Sequence, residues 1–193
     1  MPNSNTPQGL RPYHSVTGGV TSRVSAYNIA YNYAVALFGG DLVRSTGTAR
    51  EIELTPDGTT ARALGVFAGC RYIDNSGLIV FSPFWPGVAL TDAATVVECY
   101  VYDDPFMEFT AQITTIAAAD VGQAYEWQNG TGSTRTGRSG GYIDRAQAGA
   151  PQLKVEGLAE GPDGMTMSDY GAFAKVRCRI FTHEKFAGSL IAQ

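Results

Sequence analysis

Apolar and polar residues alternate over short runs in this chain, and turn residues interrupt the runs at close intervals. The clearest run is "AKVRCRIF" at 174–181, where Val176, Cys178 and Ile180 fall on one side and Lys175, Arg177 and Arg179 on the other. A period of two predicts a half-buried strand with a basic outer row. Such a row ordinarily faces water; docking onto an acidic protein surface is the alternative. "TVVECYVY" at 95–102 groups Val97, Cys99 and Val101 against Glu98, Tyr100 and Tyr102. Further strand-like runs cover 42–44, 51–54, 61–73, 78–81, 106–113 and 152–155. Between them "TPDG" at 55–58, "DNSG" at 74–77, "SPFWPG" at 82–87 and "EGPDG" at 160–164 carry turn chemistry. "YNIAYNYAVALF" at 27–38 fits a helical stripe and strand alternation alike. The strand sorting puts Tyr27, Ile29, Tyr31, Tyr33, Val35 and Leu37 on one side, and tyrosine and valine favour strands, so the segment is read as extended. "AAAD" at 117–120 and "SDYGAFAK" at 168–175 each have room for one helical turn.

Many short strands without long amphipathic helices predict a mainly β protein: a small β-barrel or β-sandwich domain with an extended N-terminal arm and short helical turns. The arm is residues 1–25, which hold few large apolar residues and several Pro, Gly, Ser and Thr, and which cannot build a core alone. It is either a loose tail or a segment that orders on a neighbouring subunit. Its deletion is expected to leave the β domain, 26–193, folded. The polar, glycine-rich stretch "NGTGSTRTGRSGG" at 129–141 reads as flexible or bound to the surface.

Composition narrows the function. At 193 residues the chain is long enough for one core without disulfide staples. Charged residues make up 17%, against about 25% in ordinary soluble domains, which suggests that part of the surface is covered by something else. Arginine supplies most of the positive charge and suits interfaces. A net charge of −4 argues against general nucleic-acid binding. The longest apolar runs fall short of the roughly 18 residues a membrane span needs, and the N-terminus shows no signal pattern. Cys70, Cys99 and Cys178 are odd in number and widely spaced, so buried free thiols are expected rather than a disulfide framework or a zinc site.

No catalytic set is legible. Asp103 and Asp104 in "VYDDPFMEFTAQ" are adjacent, so on an extended backbone they point to opposite sides. With Pro105 behind them they read as a hairpin connection between the flanking strands, not as a paired acid and base. Carboxylates brought together by the fold, with Asp103, Asp104, Asp74 and Glu98 as the suspects, are the enzyme alternative. His14 and His183 are the two histidines, and no nucleophile elbow or His-Glu-x-x-His is present. The glycine stretch lacks the lysine of a phosphate-cradling loop, although Arg135 and Arg138 offer an anion a place to bind. A binding or structural role without catalysis, cofactor or metal is therefore expected.

In its motifs the chain resembles the tailed-bacteriophage proteins that decorate or cement the capsid. "LFGGDLVR" at 37–44 is similar to that family's Gly-Asp-x-Val entry, with Leu42 where proline is expected. "ALGVFAGCRYID" at 63–74, "PFWPG" at 83–87, "VYDDPFMEFTAQ" at 101–112, "DVG" at 120–122, "RSGGYID" at 138–144 and "AKVRCRIFTHE" at 174–184 follow in order. The resemblance implies a homotrimer on the capsid outer surface of the virion, made in the bacterial host cytoplasm. It would bridge subunits of the major capsid protein and stabilise the shell without catalysis. Nucleic acid and membrane are not among the expected partners. Arg11, Pro12 and Tyr13 of the arm, Tyr27, Tyr31 and Tyr33, and Arg135 and Arg138 are the expected interface residues. A tail, baseplate or head-fibre protein serving host-surface attachment is the alternative.

Overall fold

The computed structural model describes residues 3–17, 23–48, 50–58, 60–87, 97–146, 151–160, 165 and 167–186. The protein is mainly β: among the described residues about half lie in strands, in several antiparallel sheets that form a sandwich-like fold with no closed barrel. The strands are β1 (Arg11–Ser15), β2 (Val24–Ile29), β3 (Leu37–Phe38), β4 (Leu42–Ser45), β5 (Ile52–Leu54), β6 (Gly65–Ile73), β7 (Ile79–Ser82), β8 (Phe84–Trp85), β9 (Val97–Tyr102), β10 (Met107–Gln112), β11 (Thr115–Ile116), β12 (Ala124–Gln128), β13 (Tyr142–Asp144), β14 (Leu153–Leu158), β15 (Gly171–Ala172) and β16 (Lys175–Ile180). Single 3₁₀ turns occupy Ala118–Asp120 and Glu184–Phe186.

Two six-stranded sheets carry the fold. The first runs β1-β10-β16-β14-β12-β13; the second runs β2-β9-β6-β4-β5, with β7 paired to the far half of β6. Each sheet curls. A parallel bridge between Ile113 and Ile143 brings the ends of β10 and β13 together, and another between Asn28 and Glu51 does the same for β2 and β5. Each curl surrounds its own apolar cluster. Phe109, Trp127, Ile143, Leu153, Val176 and Cys178 fill the first; Leu37, Phe67, Trp85, Val97, Cys99 and Val101 fill the second. Leu42 and Val66 of the second sheet pack into the first cluster and so join the two. The alternations in β16 and β9 are realised as read, with Val176, Cys178 and Ile180, and Val97, Cys99 and Val101, facing inward. All three cysteines are buried free thiols.

Several expectations need correction. Residues 101–112 do not form a hairpin: β9 lies in the second sheet and β10 in the first, so "DDPF" carries the chain between sheets. The N-terminal stretch does not stand apart. Leu10 is buried in the first core, and β1 pairs antiparallel with β10 of the same chain. Ahead of it, Asn3 Nδ2 donates to the carbonyls of Asp169 and Ala172 at 2.9 Å each, and Gln112 Nε2 donates to the Ser4 carbonyl at 2.7 Å. A segment poor in apolar residues is ordered here by backbone pairing and one buried leucine, neither of which composition reveals. Residues 1–2 and 18–22 of that stretch lie outside the described residues, as do 161–164 of the turn expected at 160–164.

The extended reading of 27–38 holds only at its ends. After Ile29 a turn closes with the Tyr33 N–H donating to the Ala30 carbonyl at 2.9 Å. The Tyr33 hydroxyl accepts from the Leu54 N–H at 2.8 Å and its carbonyl from Trp85 Nε1 at 2.9 Å, so long-range partners bend the segment away from strand geometry. The helical turn expected at 117–120 is present, whereas 168–175 holds the short strand β15 instead. The glycine stretch 129–141 is pinned rather than loose. The Gly39 N–H donates to the Gly137 carbonyl at 2.8 Å, and the Ser139 N–H to the Gly39 carbonyl at 3.0 Å.

Candidate interaction surfaces

The carboxylates suspected of chemistry are engaged in separate tasks. Asp103, 1% exposed, accepts from Ser25 Oγ at 3.0 Å, from the Tyr27 hydroxyl at 2.9 Å and from Lys185 Nζ. Burial opposes its ionisation, but the hydrogen bonds from Lys185, Tyr27 and Ser25 outweigh burial and hold the carboxyl below its ordinary range. It thus clamps β2 and the C-terminal 3₁₀ turn to the link between sheets. Asp104 closes that link: it accepts from Ser15 Oγ at 3.1 Å and from the Phe106 N–H at 2.9 Å. Asp74 accepts from the N–H groups of Ser76 and Leu78 at 2.8 and 2.9 Å and shapes the β6–β7 turn. Glu98 lies 3.6 Å from Arg71. Among the described residues, no three His, Cys, Asp or Glu side chains gather as a metal site requires.

Two of the three cations in the outer row of β16, Arg177 and Arg179, are matched by nearby carboxylates. Arg179 lies 2.7 Å from Glu156, and Arg177 lies 3.6 Å from Glu160 and 3.9 Å from Glu108. Around Arg177 and Arg179 that face therefore offers little unbalanced charge to an acidic partner.

Two surfaces stand out from this background. The first is apolar. Beyond its pairing with β9, β6 projects with β7 as a hairpin. The register sets Ile73 opposite Ile79 and Arg71 opposite Phe81, so these four side chains share one side. Phe81 is 73% exposed, and Leu78, in the turn, 65%. The Arg71 guanidinium sits 5.8 Å from the centre of the Phe81 ring. Isolated exposed apolar residues are ordinary, but a contiguous face with a cationic rim marks an interaction site.

The second surface surrounds residues 8–12. Arg11 Nη1 and Arg138 Nη1 both donate to Gln8 Oε1, at 3.2 and 2.9 Å. They flank a cleft of about 150 Å³ whose walls include Leu10, Pro12, Phe67 and Tyr102. Lys175 and Arg11 line a smaller adjoining cleft of about 60 Å³. A third hollow, of about 280 Å³, is lined by Asn5, Pro7, Gln112, Thr114, Tyr142 and Phe173; Phe173 is held at φ 57, a conformation that bulky residues rarely adopt.

The fold thus brings Arg11, Pro12 and Arg138 of the expected interface residues around one cleft. Tyr13 is exposed beside them and packs edge-on against His14. Arg135 is exposed in the 133–138 turn, and Tyr31 is exposed in the turn after β2. Tyr27 and Tyr33 are placed differently, since both hydroxyls serve the fold: Tyr27 donates to Asp103 in the link between sheets, and Tyr33 accepts from the Leu54 N–H. The hairpin face escaped the sequence reading. Its signal was "LIVF" at 78–81, where Leu78, Ile79 and Phe81 look like core residues until the hairpin is seen to project.

No protein-family model, curated protein or solved structure matches this chain.

Proposed function

We propose that this chain is a virion structural protein that binds the outside of an icosahedral phage capsid and stabilises it by bridging subunits of the major capsid protein. The exposed apolar face of the β6–β7 hairpin carries the reading. A rigid sheet domain gains adhesion from such a face once a partner covers it, at roughly 25 cal/mol per Å² of apolar area. The resemblance of its motifs to those of capsid-decoration proteins suggests the kind of partner, and the proposal places three copies about a shell threefold. A protein that binds only the assembled shell stabilises it by mass action, with no reaction required. The suspected carboxylates fit that role, because their oxygens serve the fold.

The test mixes purified chain with assembled capsids that lack it, then measures co-sedimentation and the temperature at which the shells rupture. Wild-type chain is expected to sediment with the shells and raise that temperature. Leu78→Ser/Phe81→Ser is expected to bind at least ~10-fold more weakly with its own melting temperature nearly unchanged, because both side chains are solvent-exposed. Equal binding by the variant removes the hairpin from the account.

The hollow lined by Tyr142, Phe173, Gln112 and Asn5 favours the second reading, a tail, baseplate or head-fibre protein attaching to the host surface. Its neutral amide, hydroxyl and aromatic lining suits a sugar. Labelling the chain in intact particles separates the two: even staining of the shell supports the first, staining at one vertex the second.

A further inference from the structure

Cations in this acidic chain are mostly matched by carboxylates. Arg44 pairs with Glu53, Arg71 with Glu98, Arg145 with Asp120, Arg177 with Glu160, Arg179 with Glu156 and Lys185 with Asp103. Arg11, Arg138 and Lys175 make no such pair among the described residues, and they cluster around Gln8 and the two clefts beside it. The arrangement is costly as it stands. One neutral oxygen, Gln8 Oε1, accepts from two guanidinium groups, which draws like charges together. Each guanidinium carries five N–H donors, so most of them remain available.

The geometry is also fixed in advance. Arg11 belongs to β1, which is paired to β10, and Arg138 follows Gly137, whose carbonyl is held by the Gly39 N–H. Arginines preorganised this way lose little freedom when they grip a carboxylate through two parallel hydrogen bonds. The clefts limit what the anion is attached to. At about 150 and 60 Å³ they admit single side chains, and their walls include Leu10, Pro12, Phe67, Tyr102 and Met167. Charge next to apolar wall, on either side of Arg11, matches a peptide that presents acidic and apolar side chains in turn. A nucleic-acid backbone matches poorly, because clefts that admit single side chains and have apolar walls do not fit a row of phosphates.

We propose that the cleft between Arg11 and Arg138, continued past Arg11 to Lys175, binds the carboxylates of an acidic, extended segment of a partner protein. This goes beyond the shell-binding reading, which stands on the apolar hairpin; either can fail while the other survives.

The experiment titrates the full chain, followed by amide NMR and calorimetry, with four probes: a short peptide of alternating Glu and Val, its Gln/Val counterpart, inorganic phosphate and a DNA duplex. The Glu/Val peptide is expected to bind, to shift the amides of Gln8, Arg11, Tyr102 and Arg138, and to weaken steeply with salt. The Gln/Val peptide and phosphate are expected to bind at least ~10-fold more weakly. Arg11→Gln/Arg138→Gln is expected to lose affinity by a similar factor with an unchanged melting temperature, and Arg11→Glu/Arg138→Glu to prefer a Lys/Val peptide. Equal binding of the Glu and Gln peptides, which needs no variant, overturns the proposal. So does binding of phosphate or duplex as tight as that of the Glu/Val peptide, or a charge reversal that leaves the preference unchanged.

Discussion

Two buried side chains, Asp41 and His183, titrate in the same pH range with opposite effects on stability. Asp41 is pushed up to about 6 by burial, only partly offset by hydrogen bonds from Ser139 and the Phe38 N–H. His183 is pushed down to about 4 by burial and then by Lys185, with Asp103 and Asp104 pulling the other way. As pH falls from 7 to 4, folded Asp41 takes up its proton before the unfolded chain does, so its contribution to stability rises. Over the same range the unfolded chain protonates His183 from about pH 6.5 while the fold resists, so its contribution falls. The two contributions are similar in size, about 3 kcal/mol each, and nearly cancel. Glu184, also raised by burial, adds to the side of Asp41. The wild-type protein is therefore expected to show a nearly flat stability profile between pH 4 and 6.5. Asp41→Asn is expected to lose roughly 2–3 kcal/mol on acidification from pH 7 to 4, and His183→Gln to gain stability over the same interval. Denaturant titrations at several pH values check this, and a flat profile for Asp41→Asn contradicts it. Below pH 4 the control passes to Asp103 and Asp120. In both, burial is outweighed by hydrogen-bond donors, from Lys185, Tyr27 and Ser25 for Asp103 and from the Ala117 N–H, Tyr125 and Arg145 for Asp120, and the carboxyl is held below its ordinary range. Their stabilisation is present above the unfolded carboxylate pKa and lost as pH falls further.

Among the elements, those with one wet and one dry side were legible. β9 and β16 announce themselves because burial repeats every second residue. β1, β12 and β13 were not, because they carry no clean alternation, and the partner of β1 lies far away in sequence. The glycine stretch misled for a related reason. Absent side chains suggest freedom, yet here they permit close packing. A Cβ on Gly130 would lie 1.9 Å from the Gly140 carbonyl oxygen, and one on Gly141 would lie 2.1 Å from the Trp127 ring. Leu42, where the resemblance leads one to expect proline, is a core residue. Its side chain is fully buried, it sits opposite Val66 in the ladder, and its carbonyl accepts from Thr55. The N-terminal stretch yields the sharpest reversal, since removing it takes away β1 and Leu10 together. Deletion of residues 1–17 is expected to destabilise the domain by roughly 2–5 kcal/mol, the range for emptying a buried leucine site, and to expose an edge of β10. Chemical denaturation of the truncated chain checks this; unchanged stability contradicts the role given to β1.

At the scale of the molecule, two curled sheets share a boundary at Leu42 and Val66 and are locked across it by the Asp103 cluster. That design spends most ionisable groups on the fold and leaves an apolar hairpin and an arginine-flanked cleft facing outward. Of the candidate site, the sequence showed Arg11, Pro12 and Arg138 as contact-prone but not that they meet, since 126 residues separate Pro12 from Arg138. It concealed the hairpin, because an apolar strand that projects and one that is buried are spelled alike. The central claim is the proposed adhesion to a capsid shell, and a cryo-EM map of the phage particle to which the proposal assigns this chain tests it most directly. The account expects density for the domain on the outer surface where capsid subunits meet, with Leu78 and Phe81 covered by a shell protein. Density confined to one vertex or to the tail, or a chain absent from the particle altogether, would contradict it.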